Sequence, residues 1–287
     1  MYLNFFSWNV KNNKERSLYS DLGVHLSVLK TDILILIECF IESPIVELNA
    51  FEELSDFVNE TGSRTVRVFL NKNSGLMDVK TASSNGNKLR CVRLKSNTGY
   101  EFNLAAVHLY SKTGKTELHQ FSENLGMKTA INEFELNVKD NTTIIVGDLN
   151  YQPFESHLLT PHFFNAINDK ALISHLKTRN FQRESYSYYY NPMWNLLGDY
   201  DYVRKGAKVS GTYYWDTSDV GQYHWNLLDG VLLSQAMMDK LEIESLKIET
   251  EINNKSLLNT HPTGDKKTML KEGFSDHLPI IFSIKTN

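Results

Sequence analysis

The chain has 287 residues, 41% of them hydrophobic and 22% charged, with 30 lysines and arginines against 34 acidic residues and a net charge of -4. This is an ordinary globular composition with ample material for a core, and it excludes a basic sheath for unspecific binding of duplex nucleic acid. Two cysteines, Cys39 and Cys91, are too few for a disulfide framework or a cysteine-rich zinc site, and suit buried thiols or one disulfide. There is no run of about 18 apolar residues and no charged leader ahead of an apolar segment. The expected location is the cytoplasm, with no membrane segment and no evident obligate protein partner.

The first predicted element is an aromatic and β-branched strand over residues 2 to 10, with Asn9 at its end before the polar run Lys11-Asn12-Asn13-Lys14. Asn9 taken singly suits a turn. Leu18, Leu22, Leu26 and Leu29 then repeat with helical spacing over residues 15 to 30, and His25 on that helix reads as structural. Ile33-Leu34-Ile35-Leu36-Ile37 has the unbroken aliphatic character of a strand buried on both faces, and it delivers Glu38 at its tip. A helix is expected over 46 to 59, a short strand over 65 to 70, and a polar loop or hairpin tip over 75 to 87. Two strands follow, 89 to 94 and 100 to 109, joined by the turn Asn97-Thr98-Gly99. The second of them ends in His108, a position where a lone histidine is commonly a satisfied core residue.

Leu118, Phe121, Leu125, Ile131 and Phe134 mark a helix over about 116 to 137. It leads into Thr143-Ile144-Ile145-Val146-Gly147-Asp148-Leu149-Asn150, a buried strand that runs into a glycine, a carboxylate and an amide. Gly147 permits a bend or a close approach. Asp148 and Asn150 share a side if the extended geometry persists; an Asx-turn closing the strand is the other reading. A carboxylate at the mouth of a buried strand is costly without a partner or a task.

Residues 151 to 225 are the least decodable, with partial helix expected over 163 to 180. Tyr186, Tyr188, Tyr189, Tyr190, Tyr200, Tyr202, Tyr213 and Tyr214 cluster there with Trp194 and Trp215, interleaved with Arg179, Arg183, Arg204, Lys205 and Lys208. Two readings stand: rings that stack bases, and amphipathic packing with wet hydroxyls. Further on, Asp229 falls in the middle of the apolar strand 225 to 234, where a buried carboxylate needs a donor such as histidine. A short helix, a strand over 243 to 248 and a polar loop with His261, Pro262 and Gly264 precede Phe274-Ser275-Asp276-His277-Leu278-Pro279 and a last strand over 280 to 284. No repeat, low-complexity tract or linker divides the chain, so residues 1 to 287 are expected to form a single domain.

The stretches Ser-Trp-Asn-Val at 7 to 10, Ile-Glu at 37 to 38, Val-His-Leu at 107 to 109, Gly-Asp-Leu-Asn at 147 to 150, Leu-Asp at 228 to 229 and Ser-Asp-His-Leu-Pro at 275 to 279 resemble, in order and context, the motifs of the endonuclease/exonuclease/phosphatase superfamily. Each is short, but together they span almost the whole chain. The resemblance implies a deoxyribonuclease-I-like α/β (α+β) fold: a four-layer sandwich of two packed mixed β-sheets flanked by helices. It implies Glu38 as the main Mg²⁺ ligand, with Asn9 beside it, Asp276 as a further ligand, and Mn²⁺ as a substitute cation. It implies Asp148 as the group that orients or deprotonates water, Asn150 as its support and a phosphate contact, His277 aligned by Asp229 as the phosphoryl-binding or proton-accepting group, and His108 as a donor to a phosphate oxygen or the leaving group. Such chemistry rests on positioning and charge stabilisation, and Mg²⁺ needs few side-chain carboxylates because it keeps several waters.

Departures from the family pattern narrow the subgroup. Ile37 stands where glutamine often precedes the metal glutamate, His108 where abasic-site endonucleases carry a tyrosine-containing motif, and Leu228-Asp229-Gly230 where inositol-polyphosphate phosphatases have Cys-Asp-Arg. The expected function is a Mg²⁺-dependent phosphodiesterase, foremost a nuclease on DNA or RNA. The alternatives are a phosphoesterase on a small phosphorylated molecule or lipid head group, and a phosphate-binding member of the fold that has lost catalysis.

Overall fold

The computed structural model describes residues 1–39, 45–54, 66–84 (backbone only for 81–84), 88–197, 209–215, 223–259 and 270–286. The opening strand β1 (Tyr2–Asn9) pairs in parallel with β2 (Ile33–Ile37), which is antiparallel to β4 (Val66–Asn71), itself bordered by the short edge strand β3 (Phe51–Glu53). All five residues of β2 are buried, each contributing roughly 1.5–3 kcal/mol, which places this strand at the centre of its sheet. In the second half of the chain the order runs β5 (Leu76–Ser84), β6 (Leu89–Ser96), β7 (Glu101–His108), β8 (Thr143–Asp148) and β9 (Ala166–Ile167). A hairpin of β10 (Thr178–Phe181) and β11 (Glu184–Ser187) follows, then β12 (Tyr189–Tyr190). A small ladder, β13 (Tyr213–Tyr214) with β14 (Trp225–Asn226), precedes β15 (Asp229–Ser234). Last come β16 (Leu241–Ile248), the pair β17 (Glu251–Ile252) and β18 (Lys255–Ser256), and β19 (Ile280–Lys285).

These strands assemble into a six-stranded mixed sheet, β16-β19-β1-β2-β4-β3, and a seven-stranded mixed sheet, β5-β6-β7-β8-β15-β12-β9. Their inner faces meet through Leu3, Phe5, Ile35 and Val68 from one sheet and Leu104, Ala106, Val146 and Val231 from the other. Helix α1 (Arg16–Val28) covers the outer face of the first sheet with Leu18, Tyr19, Leu22 and Leu26. Helix α2 (Glu117–Val138) covers the second with Met127, Ile131 and Phe134. The layering is therefore helix, sheet, sheet, helix, as the resemblance implies. Two shorter helices, α3 (Ser156–Leu159) and α4 (Lys170–Leu176), lie in the segment after β8.

Several sequence-based expectations are corrected. The helix expected over 46 to 59 is a 3-10 turn at Ile45–Glu47 followed by β3, with 55 to 59 outside the described residues. Pairing with β4 and burial of Phe51 override local helical spacing there. The loop expected over 75 to 87 is largely β5, an edge strand with a bulge between Asp78 and Lys80; an edge can be polar on both faces, so it carries no apolar alternation. Leu118 is exposed, and α2 instead buries Gln120, Asn124 and Lys128 toward its N-terminal half. Asp229 opens β15 rather than lying within it, and turns occupy 235–240 in place of a helix. Tyr188, Tyr189 and Tyr190 are buried, which is the packing reading of the aromatic cluster. Tyr200, Tyr202, Arg204, Lys205, Lys208, His261, Pro262 and Gly264 lie outside the described residues. No disulfide joins Cys39 and Cys91, and both thiols are buried.

Candidate active site

Strand direction brings the site together. β1 and β2 are parallel, so Asn9 pairs with Ile37 and Glu38 follows at the same end. β7 and β8 are parallel with His108 opposite Asp148, and β15 runs antiparallel with its first residue, Asp229, also opposite Asp148. One end of both sheets thus presents Asn9, Glu38, His108, Asp148 and Asp229. The loop before β19 adds Asp276 and His277, so all eight sequence-predicted residues converge on this end, although Asn150 and Asp276 take different contacts from the rest.

Two backbone features aim the groups. Glu38 and Asn150 sit just beyond β2 and β8 with φ of 48° and 52°. This left-handed conformation is easy for asparagine and costly for glutamate. Gly147 has φ 144°, and a Cβ there would collide with the Val107 carbonyl oxygen, so β7 and β8 approach closely only because residue 147 is glycine.

Asn9 bridges the two sheets: its Nδ2 donates to Asp148 Oδ2 at 3.1 Å and to Glu38 Oε1 at 3.3 Å. Its Oδ1 accepts from the Lys11 N–H at 3.0 Å. His108 Nε2 lies 3.6 Å from Glu38 Oε1 and 3.8 Å from Asp148 Oδ2. His277 Nδ1 donates to Asp229 Oδ2 at 2.7 Å, while its Nε2 lies 4.0 Å from Asp148 Oδ2. Of the two readings of Asp148 to Asn150, the Asx-turn is the one found, with Asn150 at φ 52°. Asn150 supports Asp148 through its backbone N–H, 3.0 Å from Oδ1, and its side chain donates to the Leu109 carbonyl at 2.8 Å. Asp276 is held by Lys11 Nζ at 2.5 Å.

Several supports escaped sequence reasoning. Ser275 Oγ donates to the Asn9 carbonyl at 2.6 Å and accepts from the His277 N–H at 3.1 Å. Trp8 Nε1 donates to the His277 carbonyl at 2.8 Å. Both lie inside motif stretches, which was the available signal. Thr212 Oγ1 accepts from the Asp229 N–H at 3.1 Å, and the Tyr213 ring lies 4.8 Å from that of His277. Lys88 Nζ lies 3.3 Å from His108 Nδ1. Nothing in the local sequence marked Thr212 or Lys88.

Electrostatics separate the titratable groups. Burial pushes the Asp148 carboxyl up to about 7, with the Asp229 charge adding to the rise and His277 opposing it. Burial alone would lower His277, but the charge and hydrogen bond of Asp229, with the Asp148 charge, raise it to about 10. His108 moves the other way: burial, then the Lys88 and His277 charges, lower it to about 3. The site therefore holds one imidazolium, one neutral imidazole and a carboxyl poised near neutrality.

Two groups of residues offer places for a cation. Asp148, Asp229 and His277 bring ligand atoms within 4.8 Å of one another, but they are buried and joined by the Asp229–His277 ion pair, which places a positive charge where the ion would sit. Glu38 suits a hard cation better. Its carboxylate faces the cleft with 30% of the side chain exposed, and it makes no ion pair with lysine or arginine among the described residues. Asn9 lies beside it with Nδ2 on Glu38 Oε1 and Oδ1 on the Lys11 N–H, which leaves the second lone pair of Oδ1 for a cation, and Asp276 can join in exchange for Lys11. The oxygen donor set thus fits Mg²⁺ at Glu38. The cleft itself has a volume of about 570 Å³ and is further lined by Lys112, Gln152, Tyr213, Trp215 and Asn226.

No family model matches the chain, and no curated protein matches its sequence. Solved structures do match over almost the whole length. An endonuclease/exonuclease/phosphatase family protein from Bacteroides thetaiotaomicron aligns with TM-score 0.59 and 13% identity over 99% of this chain and 97% of its own. A mannosyl-6-phosphatase from the same species aligns with TM-score 0.59 and 13% identity over 98% of both chains. The endonuclease domain of TRAS1, a telomere-specific non-LTR retrotransposon, aligns with TM-score 0.55 and 11% identity over 100% of this chain and 99% of its own.

Proposed function

On a chain that has the endonuclease/exonuclease/phosphatase fold, we propose a Mg²⁺-dependent phosphoesterase that hydrolyses phosphodiester bonds, a nuclease acting on DNA or RNA, with Mn²⁺ able to replace Mg²⁺. The observation that carries this reading is the meeting of Glu38, Asn9 and Asp148 with the Asp229–His277 pair, whose hydrogen bond is 2.7 Å. Residues 1 to 287 act as one domain in this reading, because residues from Asn9 to His277 are needed for one centre.

The chain's own groups divide the work. Asp148, with a pKa near 7, accepts the proton of the attacking water at Oδ2. Asn9 Nδ2 and the Asn150 N–H hold the two oxygens of that carboxylate. His277, kept cationic by Asp229, binds a phosphoryl oxygen through Nε2–H. His108 donates from Nε2 to a phosphoryl or leaving oxygen. Glu38 and Asn9, with Asp276, hold the cation. When bound, Mg²⁺ neutralises charge on the phosphoryl group and orients oxygen atoms around it.

A second reading, a phosphomonoesterase on a small molecule or lipid head group, draws on the cleft lysines. Among the described residues, Lys11 is paired with Asp276 at 2.5 Å and Lys112 with Glu155 at 2.7 Å, so these two cleft lysines are already partly neutralised toward a polyanion. Incubation with single- and double-stranded DNA, RNA and a panel of phosphomonoesters, with Mg²⁺, Mn²⁺ or a chelator, tests both. Metal-dependent cleavage of polynucleotide is expected. Phosphate release from monoesters alone would favour the second reading, and no turnover of any substrate would favour a binding protein that has lost catalysis.

A further inference from the structure

Lys88 holds His108 at two points. Its backbone carbonyl accepts from the His108 N–H at 2.8 Å, and its Nζ lies 3.3 Å from His108 Nδ1. The first contact closes the β6–β7 ladder where the strands end, so the origin of the lysine side chain is set by the sheet. The second is set by packing: Nζ lies 4.9 Å from the centre of the Tyr110 ring, whose face also carries Lys115 Nζ at 4.3 Å. The lysine stem is thus confined between the strand end and an aromatic face.

An ammonium has three donors and no acceptor. A short contact between Lys88 Nζ and a ring nitrogen therefore requires that Nδ1 be the acceptor, and the ring proton must sit on Nε2. That is the nitrogen facing Glu38 Oε1 and Asp148 Oδ2, at 3.6 and 3.8 Å. His277 has the opposite arrangement, with a carboxylate rather than an ammonium behind Nδ1. The two histidines of the site therefore face the cleft with different supports.

We propose that Lys88 is a positioning residue that fixes His108 as the Nε2–H tautomer, so that His108 serves the site as a hydrogen-bond donor and not as a proton acceptor. The role in turnover rests on the phosphoesterase reading above; the tautomer does not. A neutral donor aimed at the reacting centre stabilises charge that develops on a phosphoryl or leaving oxygen. Proton acceptance then belongs to Asp148 alone.

The test has two arms. In the first, long-range ¹H–¹⁵N correlation spectra of the intact protein at neutral pH report the His108 tautomer, with His108→Gln used only to assign its signals among those of the 9 histidines. A protonated Nε2 and an unprotonated Nδ1 are expected in the wild type and in Lys88→Arg, and a mixture of tautomers in Lys88→Met. A wild-type His108 that carries its proton on Nδ1, or a Lys88→Met spectrum unchanged from wild type, overturns the proposal whether or not the protein hydrolyses anything. In the second arm, hydrolysis of bis(p-nitrophenyl) phosphate with Mg²⁺ is followed. Lys88→Met is expected to lower kcat about tenfold or more with KM little changed, short of the ~10²–10³ loss from deleting a transition-state donor outright, and Lys88→Arg to restore most of it. Wild-type kcat in Lys88→Met would overturn the catalytic half of the proposal while leaving the phosphoesterase reading in place.

Discussion

Asp148 and Asp229 stand directly opposite one another across the antiparallel β8–β15 ladder, and His277 reaches both, 2.7 Å from Asp229 and 4.0 Å from Asp148. Two buried carboxylates side by side repel each other, and the imidazolium between them offsets that repulsion. The same triplet creates the asymmetry of the site: Asp229 is committed to His277 Nδ1, while Asp148 keeps an oxygen toward the cleft.

Replacing Asp229 with Asn should uncouple His277. The native protein binds a proton on His277 between the ordinary value of 6.5 and about 10, where the unfolded chain has lost it. Stability from this group is therefore fully present below 6.5 and is lost as pH rises toward 10. The denaturation midpoint of the wild type should fall over that range, and Asp229→Asn should fall less steeply. Hydrolysis by the variant is expected to drop about 10²-fold or more. An unchanged alkaline slope would contradict the assigned partner.

Asp148→Asn should separate stability from turnover. Burial holds the Asp148 carboxyl up at about 7, so the native state retains a proton that the unfolded chain releases above its ordinary value of 3.8. That contribution is lost as pH rises from about 4 to 7. With a chelator present at pH 8, the neutral amide should melt higher than wild type while hydrolysis is abolished. A lower melting temperature together with retained hydrolysis would remove Asp148 from the centre.

Glu38→Gln should cut the link between cation and fold. A ligand that binds only the native state stabilises it by RT ln(1 + [L]/Kd), about 2.7 kcal/mol at 100 times Kd. Calorimetry should show Mg²⁺ raising the melting temperature of the wild type and leaving that of Glu38→Gln nearly fixed. An equal rise in both would move the cation away from Glu38.

Gly147→Ala tests the backbone that delivers Asp148. A methyl group there collides with the Val107 carbonyl of the paired strand, at a φ of 144° that other residues rarely adopt. A loss of about 3 kcal/mol is expected from urea unfolding, among the larger effects of single substitutions. A change below about 0.5 kcal/mol would show that β7 can retreat.

The strands that build the site were legible because they are buried on both faces and written in uninterrupted aliphatic letters, as in Ile33–Ile37. The edge strand Leu76–Ser84 was not, because Met77, Asp78, Val79 and Lys80 are exposed along it and need no apolar pattern. Polar residues at the tips of buried strands marked Glu38, Asp148 and His108, since an ionisable group there demands a reason. The supporting contacts of Lys88 and Thr212 carried no such sign: each lies beside a stretch whose local letters suit a loop, and only contact with distant strands gives it a partner.

The order of residues alone shows that polar and charged groups end several strongly apolar stretches, and in what succession along the chain. That His108 and His277 sit in opposite electrical settings emerges only when distant strands and loops are brought together. The first is backed by the Lys88 ammonium and lowered to about 3, the second by the Asp229 carboxylate and raised to about 10. The reason is physical: the protonation of a buried imidazole depends on which charge lies within a few ångströms of it. Here those neighbours are 20 and 48 positions away in the chain.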